Sequence, residues 1–250
     1  MKKYFQILLE FNRETINQTI VQAVSDNQKG YVCVVDGNVL ATSVKNPQYR
    51  DIINNAMVNT CDGSSIALLA GIVNREKLGT YTGPELFKYF TKEPFKQLFL
   101  GNTVEINQRL KLKFKGKSMA IEQMFFETLP FKHVDEFDYN SIAEKINKLS
   151  PDIIWVSLGA PKQELFISKL YPLVNKGVLI AIGAAFNLYL NESKNKRAPS
   201  LFLKYKLEWL YRSLNDPKRI GKRALNYALL LPSIILNEIQ IKYFSKHKIS

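Results

Sequence analysis

The sequence contains few residues that bind metals or form disulfides. It has two cysteines and two histidines among 250 residues. Cys33 and Cys61 both lie in apolar runs, so we expect buried thiols in a cytoplasmic protein. No Cys/His cluster has the spacing of a zinc site, and neither His133 nor His247 has neighbours that indicate a nucleophilic dyad. The sequence therefore predicts a protein without a bound metal or cofactor.

Long apolar runs and the common phosphate-binding motifs are also missing. No apolar run approaches the roughly 20 residues that span a bilayer. Charged residues, Glu10 and Arg13, soon follow the short apolar stretch at the N-terminus, which does not resemble a signal peptide. Neither GxGxxG nor GxxxxGK[ST] occurs, which argues against a dinucleotide fingerprint and a P-loop. The composition, 46% hydrophobic and 23% charged, is that of an ordinary globular protein.

The chain does contain a repeated pattern of apolar strand, turn and helix. In residues 153–164, an apolar and β-branched run stops at a glycine before a predicted helix. Similar junctions follow the predicted strands at 57–61, 97–101 and 178–183. Such junctions are typical of a Rossmann-like α/β fold, a parallel sheet with helices on both faces. Ligands bind such sheets at the carboxyl ends of the strands, where helix N-termini favour phosphate.

We expect one α/β body and a helical appendage, because no Ser/Gly/Pro-rich linker divides the chain. The body would comprise residues 1–193, and the appendage 194–250 with breaks at Pro199, Pro217 and Pro232. Positive charge is concentrated in the appendage. It holds thirteen Lys and Arg residues against three acidic ones, a net +10 of the chain's +13. A basic segment of this kind indicates an anionic partner.

Residues 224–236 interrupt this charge with an apolar segment. Basic and apolar residues together favour a membrane surface over nucleic acid. No nucleic-acid-binding motif is present, so we expect no nucleic-acid partner. From composition alone, a helix that docks on the body with solvated lysines is an equally good interpretation.

Several short motifs occur in a fixed order. They are Asn46-Pro47, DG at 62–63, TGPELF at 82–87, LPF at 129–131, LGAPKQE at 158–164, IGAAF at 182–186, RAP at 197–199, LEWLYR at 207–212 and PKR at 217–219. In this order and spacing, the set resembles the WecG/TagA/CpsF family of bacterial glycosyltransferases. The resemblance extends from about residue 30 to residue 223.

The resemblance implies an inverting, metal-independent enzyme of surface-polysaccharide synthesis. Such an enzyme moves a hexosyl group from a UDP-sugar to a polyprenyl-diphosphate-linked saccharide, at the inner face of the cell membrane. N-acetylmannosamine is the family's best-known donor sugar, and glucose or a uronic acid remains open, as does an oligomeric state. The alternative function is that of a non-catalytic nucleotide-binding α/β protein, which docks on a membrane complex and binds UDP without turnover.

The resemblance implies that Asp62 is the catalytic residue, because it matches the aspartate of the family's DG motif. A carboxylate at a strand end can deprotonate the acceptor hydroxyl as that hydroxyl attacks the anomeric carbon. The alternative from the residues alone is a turn aspartate that caps the helix beginning at Ser64.

We expect further residues to bind the substrates. They are Asp36, Asn38, Gly101, Gln163, Glu164, Asn187, Arg197, Arg212, Arg219 and Arg223. Gln163 matches the family's active-site glutamine. Asn187 stands where many members have aspartate, and Asp36 is an extra acidic residue that would alter the choice of donor sugar. Arg212, Arg219 and Arg223 fall where the family has arginine, and they would stabilise the departing diphosphate in place of a metal.

Overall fold

A computed structural model describes residues 1–115, 121–190 and 217–244, together with Pro199, Tyr211 and Leu214. The strands are β1 Lys2–Tyr4, β2 Ile7–Leu9, β3 Lys29–Val35, β4 Val58–Cys61, β5 Gln97–Gly101, β6 Met124–Glu127, β7 Ile153–Ser157 and β8 Gly177–Ala181. The helices are α1 Arg13–Ser25, α2 Gly37–Lys45, α3 Pro47–Asn54, α4 Ser64–Asn74, α5 Gly83–Phe90, α6 Val104–Lys115, α7 Tyr139–Leu149, α8 Lys162–Leu170, α9 Ala185–Leu190 and α10 Lys222–Ile239.

Six strands form one parallel sheet in the order β4-β3-β8-β7-β5-β6. Alternate residues of each strand enter opposite faces, so Cys33 and Val35 of β3 pack in one hydrophobic core and Val32 and Val34 in the other. The first core also contains buried residues of α2, α3, α4, α7 and α8. The second contains those of α1, α5, α6 and α9. The predicted Rossmann-like α/β sheet with helices on both faces is therefore confirmed.

Local sequence fixes where the helices near the strand ends begin. The Asp36 side chain accepts a hydrogen bond from the Val39 N–H and caps α2. Asn46 caps α3 in the same way, with Pro47 as the first helical residue. Thr82 and Glu85 form a reciprocal capping box at the start of α5.

Three strands depart from the predicted organisation. The N-terminal segment forms an antiparallel pair, β1 and β2, around Phe5 and Gln6 with positive φ angles. Strand β6 was not predicted at all. It contains four residues, Met124–Glu127, and lacks the long apolar run and terminal glycine that mark the other junctions.

The C-terminal helix differs from the prediction at Pro232, where a break was expected. Helix α10 continues through this residue. Proline lacks the N–H that would bond the carbonyl of Ala228, but both residues are exposed, so water can solvate that carbonyl. The predicted boundary at 193/194 lies outside the described residues.

Helix α10 packs on the α/β body. The ring of Tyr227 lies against Gly37 at the start of α2, and its hydroxyl lies 3.2 Å from Ser65 Oγ in α4. Ile234 is buried in the same core as α2 and α4. Further along, Glu238 Oε2 accepts a hydrogen bond of 2.8 Å from the Phe5 N–H. The helix thus connects the carboxyl ends of the strands with the N-terminal hairpin.

The same segment also meets the length and composition of a membrane span. Residues Lys222–Tyr243 form 22 helical residues, and an 18-residue window within them has a mean hydropathy of 1.3. The sequence prediction considered uninterrupted apolar runs and so missed this helix, because polar residues such as Asn226 and Ser233 interrupt the run without ending the helix.

Candidate active site

Two aspartates lie side by side at the carboxyl ends of β3 and β4. Val35 pairs with Cys61 at the end of these strands, and Asp36 and Asp62 are the next residues. The Asp62 N–H donates a 2.9 Å hydrogen bond to the Val35 carbonyl. Asp62 is half-buried. The N-cap residue of α4 is Gly63, and Asp62 is the residue before it. Asp62 therefore lies at the strand end, where we expect the general base.

Gln163 joins the turns that follow β7 and β8. Its Oε1 accepts hydrogen bonds from the Gly159 N–H at 3.1 Å and from the Gly183 N–H at 2.8 Å. Both glycines have positive φ angles, which side-chain-bearing residues rarely adopt. The Ala160–Pro161 peptide bond in the first turn is cis. The Gln163 side chain makes three hydrogen bonds to other groups of the protein, two at Oε1 and one from Nε2. In this structure it therefore holds the two turns in place.

Glu164, which we expected to bind a substrate, is fully buried in this structure. Its Oε2 accepts a 2.9 Å hydrogen bond from the Tyr49 hydroxyl, and its Oε1 accepts one of 2.8 Å from Gln163 Nε2. Burial raises the pKa of the Glu164 carboxyl to about 7, although these hydrogen bonds favour the charged form. Burial of the Tyr49 hydroxyl, together with the nearby Glu164 carboxyl, raises the pKa of Tyr49.

The turn after β5 is joined to this network. Ser157 Oγ donates a hydrogen bond to the Gly183 carbonyl and accepts one of 2.8 Å from Asn102 Nδ2. Gly101 has φ +110°, and a Cβ atom there would lie 2.9 Å from the Ser157 carbonyl oxygen. Gly101 therefore permits the close approach of β5 and β7, which agrees with the backbone role that its residue type suggests.

Four asparagines among the described residues carry a buried side-chain atom without a hydrogen-bond partner. Asn59 Oδ1 lies within β4, and the other three atoms, Nδ2 of Asn38, Oδ1 of Asn187 and Oδ1 of Asn107, belong to residues that follow strands. They follow β3, β8 and β5. A buried polar atom without a partner costs about 1–3 kcal/mol, so such atoms need an explanation. One donor and two acceptors near the ligand-binding edge of the sheet fit the hydroxyl and amide groups of a sugar.

Sequence reasoning missed Asn107. The signal was present in α6, where Leu110 and Phe114 mark the buried face and Asn107 occupies the same face one turn earlier. A polar residue within an apolar stripe could have been noticed.

Of the four predicted arginines, the structure describes the side chain of Arg223. Its Nη2 donates a 3.3 Å hydrogen bond to the Ala160 carbonyl in the turn after β7. This turn and Asp62 follow strands that are three strand spacings apart, roughly 14 Å. Arg197 and Arg212 lie outside the described residues. Arg219 belongs to the helical turn Pro217–Gly221, and its side chain also lies outside them.

Metal-binding side chains do not cluster in the part of the chain that the structure describes. No group of three or more His, Cys, Asp or Glu residues there is arranged to hold an ion. Metal independence therefore stays a prediction, to be tested with a chelator.

Together these features define an α/β protein with a polar site at the carboxyl ends of its parallel strands. The chain matches the model of the glycosyl transferase WecG/TagA/CpsF family over residues 6–243, and it belongs to this family. The resemblance inferred from the motifs is thus confirmed.

Similar proteins carry one common name, N-acetylglucosaminyldiphosphoundecaprenol N-acetyl-beta-D-mannosaminyltransferase. The protein of this name from Bacillus spizizenii is 24% identical over 225 residues, which cover 86% of this chain and 82% of the relative. That of Bacillus subtilis is 25% identical over 92% of this chain and 91% of the relative. That of Staphylococcus aureus strain MRSA252 is 26% identical over 82% of this chain and 84% of the relative.

Proposed function

We propose that this protein is an inverting hexosyltransferase that uses a UDP-sugar donor and a polyprenyl-diphosphate-linked acceptor. The observation that carries the proposal is the placement of Asp62 at the end of β4, beside the end of β3, which Asn38 follows with its unpartnered Nδ2 atom. The names of the relatives favour N-acetylmannosamine as the sugar and a diphosphate-linked N-acetylglucosamine as the acceptor.

In this reaction Asp62 accepts the proton of an acceptor hydroxyl. The hydroxyl oxygen forms a bond to the anomeric carbon of the donor as the bond from that carbon to UDP breaks. Negative charge then grows on the departing diphosphate. Arg223 and its neighbour Lys222 are exposed near the turn after β7, where they can stabilise this charge.

An exposed apolar surface supports contact with a lipid surface. Leu68 and Ile72 of α4 and Leu225, Leu229 and Leu236 of α10 are exposed, and the two helices contact each other. Exposed basic residues, among them Lys218 and Lys222, adjoin the start of α10. We propose that the protein lies peripherally on the inner face of the cell membrane, with this surface towards the lipid.

The function is tested with a panel of UDP-sugars and a polyprenyl-diphosphate-linked N-acetylglucosamine acceptor, in the presence of a chelator. We expect transfer from UDP-N-acetylmannosamine with inversion of the anomeric centre, at the same rate with and without the chelator. UDP binding without transfer of any sugar would favour the non-catalytic alternative. Strict dependence on added Mg²⁺ or Mn²⁺ would contradict the metal-independent mechanism.

A further inference from the structure

A fully buried carboxyl group lies beside the site but has no part in the transfer step described above. Glu164 of α8 contacts the Tyr49 hydroxyl and the Gln163 amide, and the other ionisable groups that influence it are Cys33 and Asp36. A carboxyl group buried at such cost in desolvation, with both oxygens hydrogen-bonded, needs a role. Both of its oxygens accept hydrogen bonds from side chains of the protein, so its role is to hold those side chains in place.

Glu164 fixes which way the Gln163 amide points. An amide has one acceptor end and one donor end, and Glu164 Oε1 accepts from the donor end. The acceptor end must then face the Gly159 and Gly183 N–H groups, as observed. A reversed amide would place its NH₂ group against two N–H donors, and both hydrogen bonds to the glycine turns would be lost.

The network extends beyond these two turns. The Gly183 peptide is held at its N–H by Gln163 and at its carbonyl by Ser157, which is bonded to Asn102. A continuous set of hydrogen bonds therefore runs from α3 across the carboxyl ends of β8, β7 and β5. The spacing of three loops at the ligand-binding edge depends on the orientation of one amide.

We propose that Glu164 is a positioning residue for glycosyl transfer. Through Gln163 it sets the spacing of the turns after β7 and β8, and these turns support the donor sugar nucleotide. This inference rests on the proposed function, because the spacing affects turnover only if the donor binds at this edge.

Substitutions at two positions separate the hydrogen-bonding role from packing. Glu164→Leu removes both acceptors. Glu164→Gln retains an oxygen that can face Gln163, while its NH₂ group can donate to the Tyr49 hydroxyl oxygen. Tyr49→Phe removes one donor to Glu164. Tyr31→Phe is the matched control, because the Tyr31 hydroxyl also bonds to α3, at the Ile52 carbonyl, without a link to Gln163.

The experiment measures kcat and KM for the UDP-sugar, together with hydrogen exchange at the Gly159 and Gly183 amides by NMR. For Glu164→Leu we expect kcat to fall about ten-fold or more and both amides to exchange faster. Glu164→Gln should retain kcat within about three-fold, since it preserves the amide orientation, and Tyr49→Phe should lie between. Tyr31→Phe should lower thermal stability and leave kcat unchanged.

Two outcomes would overturn the inference. One is unchanged kcat and unchanged amide exchange in Glu164→Leu, and the other is an equal loss of kcat in Tyr31→Phe. If Glu164→Leu does not fold, Tyr49→Phe against Tyr31→Phe gives the same decision. A wild-type protein that transfers no sugar would instead refute the proposed function, and with it this role.

Discussion

At the scale of single residues, the proposed transfer reaction is tested first at Asp62. Asp62→Asn keeps the size and hydrogen-bonding shape of the side chain but removes the basic carboxylate. We expect the fold and UDP binding to persist and turnover to fall by roughly 100-fold or more. The measurement is kcat for the UDP-sugar, with the exposed Asp51→Asn as control. Near-normal turnover in a folded Asp62→Asn protein would remove Asp62 from the role of base.

Glu164 should make stability depend on pH, because its native pKa of about 7 is above its unfolded value of 4.5. A carboxyl whose pKa is raised by folding contributes most stability below pH 4.5, and this contribution is lost as pH rises through 7. Relative to Glu164→Gln, the wild-type free energy of unfolding should fall by about 2 kcal/mol between pH 5 and pH 8. Denaturant titrations of both proteins measure this difference, and a constant difference across the range would contradict it.

Sequence reasoning at this scale found residues that belong to local motifs. Asp62 and Gln163 were identified because they match short motifs of the WecG/TagA/CpsF family, at junctions where a strand, a turn and a helix follow one another. The bond between Tyr49 and Glu164 joins residues 115 positions apart, and no local pattern encodes such a pairing. The burial of Glu164 was missed as well. An acidic residue in the first turn of a helix is common, because it interacts favourably with the helix dipole, and its position gives no sign of burial.

At the scale of elements, the docking of α10 on α2 depends on a glycine. A Cβ atom on Gly37 would lie 2.8 Å from the Tyr227 ring. Gly37→Ala should therefore push α10 from α2, lower the free energy of unfolding by about 1–3 kcal/mol and reduce transfer. Gly79→Ala is the matched control, because its Cβ would meet open space. Equal stability and activity of the two variants would show that this contact is dispensable.

The predicted elements were most accurate where two signals coincided. An apolar run that ends at glycine, followed by helical periodicity, located β5, β7 and β8 and their helices. Strand β6 has only a short apolar run and no terminal glycine, so neither signal marks it clearly. Pro232 indicated the end of a helix that in fact continues. A proline normally ends a helix, but an exposed helix face can leave the freed carbonyl to water, and sequence alone does not reveal that exposure.

At the scale of the whole molecule, the body and the C-terminal segment should separate in function. The six described strands of the parallel sheet all end by Ala181, so deletion of residues 195–250 should leave a folded body. That body loses the buried Ile234 and the exposed apolar surface of α10, so it should be less stable and bind anionic vesicles weakly. Circular dichroism, vesicle flotation and transfer assays measure these effects. Full transfer to a lipid-linked acceptor by the truncated body would show that the segment serves neither membrane contact nor catalysis.

The strand order also has a consequence for synthesis on the ribosome. Among the described strands of the sheet, β8 comes last along the chain, yet it lies between β3 and β7 near the middle. Until β8 leaves the exit tunnel, the strand that joins β3 to β7 is missing, so any pairing of β3-β4 and of β7-β5-β6 would leave each group with an unpaired apolar edge. When β8 emerges, it can pair with β3 and β7 together. A nascent chain stalled before residue 177 would therefore expose two unpaired strand edges, to which chaperones and other nascent chains can bind.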